Sequence, residues 1–458
     1  MQEQDRAGSP SPGAAPLDAT VIVVGAGLSG LMAARELRRR DIDVLVLESA
    51  DRVGGRAMGV TTSLGSRLDL GGQWIGADHH RISALAAELG LTQYGMHAEW
   101  MPHIIDRGRK ISLLSPGALS AGAALAVVAL LSRSGATERW NGVTLESWLR
   151  RVPGRTARRI LEVIALTSWT ADLDRYSIHA MLRMVRMQGG MRTMLSAANG
   201  AQDSLLVEGV GAIIDRLADE LGPRVLTGQR VAEIGRDGSV VIVRTASRAF
   251  RAARVIVTAP PPVARRIVHD PPLPAHRHAL ERDTHMGSVY KAVAVFERPF
   301  WRDRARAEFF ILDRPGRLVV DSTAPGGPGH LCMLASGPEA RALDGLTAEE
   351  RREILLAPLV PHLGGRIIDP VEWHERAWHL DEHVGGGYVV VPDPGTTAGI
   401  MPHAHLPVGN VHWAGAETAS EHPGYLEGAI QSGERAAREV AAALPSPGAA
   451  LTSRFDKK

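Results

Sequence analysis

The 458-residue sequence predicts a two-domain α/β protein that opens on a Rossmann-like unit, and three observations predict it. The length is about three times the ~150 residues of an average domain. Hydrophobic residues make up 45% of the chain and charged residues 22%, which is enough apolar material for large cores. The beginning reads strand, glycine turn, helix, strand, acid. Net charge is only +2, from 52 basic and 50 acidic residues, so no strong field for nucleic acid is expected.

In chain order, Met1 to Ala19 is polar and rich in Gly, Pro, Ala and Ser, and reads as a disordered leader lacking the apolar core of a secretory signal. Thr20 to Val24 is a strand apolar on both faces, as a buried parallel strand must be. Gly25, Gly27 and Gly30 then allow a tight turn, close backbone approach to a pyrophosphate, and helix–strand packing ahead of a helix from Leu31 to Arg40. Val44 to Leu47 is the second strand, and Glu48 ends it 18 residues after Gly30, near the spacing of an acid that binds ribose hydroxyls. This ordered set predicts dinucleotide binding. Asp51 to Arg56 and Leu68 to Trp74 follow, and a nicotinamide-binding unit does not require them. Farther on, Ala118 to Leu131 is 14 residues of apolar sequence, short of the ~20 needed to cross a membrane, and reads as a packed helix.

Val21 to Trp74 resembles the FAD-binding start of the flavin-containing amine oxidase family, with Gly25, Gly27, Ser29, Gly30, Glu48, Arg56, Gly72, Gln73 and Trp74 at cofactor-binding positions. Asp203 to Gly211, the helix to Leu221, and Val225 to Ile234, including Val231, resemble the family's middle FAD segment. Val411 to Thr418 and Pro423 to Ala429 resemble its closing motif, with Gly415, Ala416, Glu417 and Leu426, ahead of a helix from Ile430 to Ala443. The resemblance implies the two-domain FAD-dependent amine oxidase fold. A Rossmann-like FAD domain is then built from three separated segments, 20–93, 203–281 and 381–445, and a mixed sheet-and-helix substrate domain from 94–202 and 282–380, with 446–458 a flexible tail. Met101 to Ile160 carries the least of it.

The same resemblance implies site roles. Lys291 is one of four lysines in the chain and sits on an apolar run; the residues alone also allow a strand-end lysine with its amine in solvent, whereas the family places a lysine there, linked through water to flavin N5. Tyr388 and Tyr425 correspond to the family's two-tyrosine cage before the flavin, and Trp378 to a tryptophan beside it. Gly387 stands where the mammalian-type monoamine oxidases carry their flavin-linking cysteine, so FAD is expected to be non-covalent; Cys332, the sole cysteine, reads as a small buried side chain. Met194, Leu195, Gln202 and Leu318 correspond to the wall of the substrate cavity. Trp74 replaces the arginine with which the similar L-amino-acid oxidases clamp a carboxylate.

These residues point to oxidation of a monoamine with an apolar or aromatic tail, with O2 reduced to H2O2; Glu99 or Asp321 would supply the acid a diamine requires. An oxidase or dehydrogenase of the same fold acting on an L-amino acid, a polyamine or a biosynthetic intermediate is the enzyme alternative, and a flavin-binding scaffold without turnover the non-enzyme one. No metal is expected, because His79-His80 and His403 with His405 lack further ligands at a recognised spacing. Arg38 to Arg40 reads as a solvated helix end. Partners are the amine and O2, without nucleic acid or membrane, since the chain ends at Phe455 to Lys458 without the family's anchoring helix. One cysteine fits the cytoplasm, and a homodimer is an expectation from the family.

Overall fold

Strand Val21–Val24 has two apolar faces because each meets a different layer. It lies at the centre of a five-stranded parallel sheet in the order Val411–Trp413, Arg254–Val257, Val21–Val24, Val44–Leu47, Val225–Leu226. Val21 and Val23 face a core shared with helices Leu28–Arg38, Gly211–Leu221 and Leu426–Ala443. Ile22 and Val24 face a core closed by a second, four-stranded sheet that contributes Val231, Ile234, Val241, Val243 and Phe250. The strand alternates sides with a period of two, so an unbroken run of valine and isoleucine fills both cores. The structure is a computed structural model that describes residues 16–97, 103–135, 137–303, 307–311, 313, 317–396 and 404–444. The leader's first 15 residues, Glu99, His403 and the tail 446–458 lie outside the described residues.

A seven-stranded mixed sheet forms the other half, in the order Glu372–Ala377, Val289–Phe296, Gly329–Ser336, Arg317–Asp321, Phe309–Ile311, His103–Asp106, Arg109–Lys110. Val289–Phe296 is buried along its whole length, between Gly329–Ser336 and Glu372–Ala377. Its Val289, Val293 and Val295 face a core with Leu68, Leu70, Cys332 and Trp378, and Lys291 shares that parity. Tyr290, Ala292, Ala294 and Phe296 face the opposite core. A helical group, Arg155–Trp169, Ile178–Met187 and Met191–Leu195, packs around a third core and against Pro116–Ser132.

Three local expectations shift. The first helix begins at Leu28 rather than Leu31, because Gly27 is its N-cap. The closing helix begins at Leu426 rather than Ile430: Gly428 is a helical packing glycine, where an added Cβ would lie 2.4 Å from the His422 carbonyl oxygen. Among the described residues the apolar helix Pro116–Ser132 is packed on one side only. Among the described residues no helix is long and apolar enough to cross a membrane.

Candidate functional site

A cavity of about 610 Å³ runs from the glycine turn, between the two halves, to the helical group. At its first end Gly25 takes a φ of +107°, open to glycine, and helix Leu28–Arg38 starts without a side-chain cap or an acid in its first turn. Its first amides therefore need a partner, and they lie where an anion would supply one. Gly54 donates its N–H to Ala26 O at 2.8 Å, bringing the second glycine pair beside the first. A Cβ on Gly30 would lie 2.0 Å from Gly25 O, so helix and turn approach each other only through glycine. Glu48 stands on the wall, its carboxylate accepting from Ala26 N at 2.7 Å and Ala50 N at 2.8 Å. Arg52, Arg230 and Arg266 add cations to the lining. This glycine cradle, with its uncapped amides and nearby cations, fits a dinucleotide diphosphate.

Arg56 forms a two-pronged pair with Glu417, at 2.5 and 2.9 Å, and donates to Tyr388 O at 2.8 Å. Three segments far apart in sequence are tied by that one guanidinium. Glu417 is buried in this pair and lies off the cavity wall, as does Gly30. All other residues assigned from the sequence line the cavity: Gly25, Gly27, Ser29, Glu48, Arg56, Gly72, Gln73, Trp74, Val231, Trp378, Gly415, Ala416 and Leu426, together with Lys291, Tyr388, Tyr425, Met194, Leu195, Gln202 and Leu318. Ser29 Oγ accepts from Gly415 N at 2.9 Å and lies 2.9 Å from Ser432 Oγ, joining the opening motif to the closing one.

Lys291 is buried, with Nζ donating to Gly71 O at 2.9 Å and to Gln73 Oε1. Burial pushes its ammonium below the ordinary lysine range, against the opposing pull of Cys332 and Asp69. Trp74 lies beside it, the Lys291 Nζ being 5.6 Å from the indole centre. Trp378 is held by its N–H to Leu70 O at 2.8 Å. Burial also raises the phenols of Tyr388 and Tyr425, which remain neutral at physiological pH. A Cβ on Gly387 would meet Val289 Cγ1 at 2.8 Å, so the position before Tyr388 has no room for a linking side chain.

Behind Tyr425 sits His79, its ring edge-on at 5.1 Å. Its Nδ1 accepts from Gly76 N at 2.9 Å, so the neutral ring carries its proton on Nε2 and presents an N–H, not a lone pair, to neighbouring Asp78 and His422. Burial lowers His79 to about 4, and does the same for His269 and His330. All three are neutral when folded and titrate near 6.5 when unfolded, so between these values the unfolded chain binds more protons. Stability is therefore present above about pH 6.5 and is lost as pH falls towards 4. At ~1.4 kcal/mol per pKa unit, each costs on the order of 2 kcal/mol at pH 5. Thermal melts at pH 7.5, 6 and 5 should show a progressive drop; a melting temperature constant over that range would contradict the assignment.

The substrate end corrects one expectation. Asp321 does not reach the cavity: its carboxylate accepts from Trp301 Nε1 at 2.9 Å and from Arg302 at 2.6 and 3.0 Å. The acid on the wall is Glu308, buried beside Phe310 and Leu318. Thr167, Gln188 and Met96 were also not anticipated there. Phe310 and Leu318 pair across adjacent strands, and that register is the signal that would have led from Leu318 to Glu308.

The family model for flavin-containing amine oxidoreductases matches residues 28–441. The chain is 34% identical over 450 residues to AofH of Mycobacterium tuberculosis, whose name describes a flavin-containing monoamine oxidase, covering 94% of this chain and 98% of that protein. It is similar in structure to cyclohexylamine oxidase from Brevibacterium oxydans, with a TM-score of 0.88, 28% identity, and 93% and 99% of the two chains covered. A putrescine oxidase bound to putrescine matches with a TM-score of 0.84 at 28% identity, over 93% and 99% of the chains.

Proposed function

Because the chain belongs to the flavin-containing amine oxidoreductase family, an FAD-dependent group of enzymes acting on amines, we propose that it oxidises a monoamine with an apolar or aromatic tail to the imine, with O2 reduced to H2O2. The observation that carries this reading is one continuous cavity whose wall takes in the glycine cradle, Lys291, Tyr388, Tyr425 and a set of apolar side chains. The bound flavin supplies the two-electron acceptor that the side chains lack.

The protein's part is to bind, orient and exclude water. Tyr388 and Tyr425 present neutral rings between which an uncharged amine is steered, while Met194, Leu195, Phe310 and Leu318 desolvate its tail. Gln202, whose amide donates to Met194 O at 3.4 Å, stiffens that wall. Lys291 holds a donor at the interface between the halves, fixed by Gly71 and Gln73. The imine leaves and is hydrolysed in solvent to an aldehyde or ketone plus ammonia. Non-covalent cofactor binding follows from Gly387 and the burial of Cys332. We place the enzyme in the cytoplasm, where a single thiol stays reduced.

The test is to mix purified holoenzyme anaerobically with amines and L-amino acids while following flavin absorbance. Bleaching by aromatic or alkyl monoamines, reversed by air with peroxide formed, is the expected result. Bleaching only by amino acids would overturn the substrate assignment, and bleaching without reoxidation by air would make it a dehydrogenase.

A further inference from the structure

From Ile111 to Ser132 the chain has no charged residue, and Pro116–Ser132 is helical. One side of this helix buries Ala121, Val128 and Ser132 against the helical group. The other side meets nothing apolar among the described residues: Leu119 is 57% exposed, Val127 49% and Leu130 68%, with Leu114 at 81% in the turn before it. Leu119, Ala123, Val127 and Leu130 follow the three-to-four spacing of one helix face, so the exposed side chains form a continuous stripe.

The flanks are basic. From Ile105 to Ile160 there are ten basic and three acidic residues, a net +7 in a chain whose total is +2. Arg107, Arg109 and Lys110 precede the stripe, and Arg133 caps the helix. Arg155 and Arg158 lie at the start of the helix that follows Pro153 and Gly154, and Ser120 Oγ donates to Pro153 O at 3.0 Å. All six are exposed, and none forms an ion pair among the described residues.

We propose that this face docks on an anionic lipid bilayer, with Pro116–Ser132 lying in the interfacial plane. Seventeen residues fall short of the ~20 needed to span, but an exposed apolar stripe with unpaired basic residues before and after it in the chain suits an anionic surface, which holds a helix by buried apolar area together with attraction to the headgroups. A second copy suits the face less well. Two-fold pairing would set the same unpaired cations against each other, whereas an anionic surface neutralises them.

The test is vesicle flotation with the full-length, FAD-loaded chain. Vesicles of phosphatidylcholine alone are compared with vesicles containing about 30% phosphatidylglycerol, at low and high salt. The bound fraction should be roughly tenfold or more higher on the anionic vesicles and should fall with salt, because the basic residues are drawn to the anionic surface. Leu119→Gln/Val127→Gln/Leu130→Gln should lose binding while keeping the flavin spectrum and amine turnover. Absence of binding to anionic vesicles, or binding undiminished in the variant, would overturn the proposal. So would a drop in solution mass of the variant by light scattering, which would assign the stripe to a second copy.

Discussion

Gly30→Ala is expected to give protein that folds but purifies without flavin. The added methyl would sit 2.0 Å from Gly25 O and 3.2 Å from Thr258 Oγ1. Neither neighbour yields easily. Gly25 donates to Leu47 O at 2.8 Å in its positive-φ turn, and Thr258 Oγ1 donates to Val24 O at 2.9 Å. The start of helix Leu28–Arg38 must retreat instead, carrying its uncapped amides away from the cavity. Each charge-assisted hydrogen bond lost there is worth ~1.5–3 kcal/mol, so two of them weaken FAD binding by roughly 10²–10⁴-fold. The ratio of flavin to protein absorbance after purification, and reconstitution with added FAD, measure the effect. Gly122→Ala is the control, because a Cβ there meets nothing within 4 Å and the variant should keep wild-type flavin content. Wild-type flavin content in Gly30→Ala would mean that the helix start does not hold the cofactor.

The cradle was legible because its requirements are local. Strand, turn, helix and terminal acid all lie within 30 residues, and each glycine answers a steric demand made by near neighbours in the sequence. The contacts that join the halves were not legible as contacts. Arg56 and Glu417 are 361 positions apart, and nothing in either motif says that the second carboxylate is consumed by the first guanidinium. For the acid of the substrate end the sequence offers Glu99 or Asp321, but Asp321 turns to Trp301 and Arg302, and Glu308 reaches the wall because Phe309–Ile311 pairs beside Arg317–Asp321. The apolar run Ala118 to Leu131 reads as a packed helix and lies within helix Pro116–Ser132, but its exposed side depends on what the rest of the chain leaves uncovered. Period and composition report which residues can be buried. They do not report which of them find a partner.

Lys291→Met is expected to keep FAD and lose turnover. Methionine has nearly the length of lysine and suits the apolar strand Val289–Phe296, so the core around Val293, Cys332 and Trp378 need not move. What disappears is a buried donor, held by Gly71 O and Gln73 Oε1 at the seam between the halves, whose ammonium burial has already weakened. If Lys291 positions water or a proton for the reaction, its removal should slow turnover on the order of 10²-fold, the lower range for a positioned proton-transfer group. Stopped-flow separates the two half-reactions. Anaerobic bleaching by the amine and reoxidation by O2 are measured in turn, and the slowed one locates the lysine's work. The pH profile adds a readout that a structural role would not move. Any limb arising from Lys291 lies below the ordinary lysine pKa in the wild type and is missing in the variant. Wild-type rates in both half-reactions, with the limb retained, would leave Lys291 as a buried tether for Gln73 and place the chemistry's proton handling elsewhere on the cavity wall.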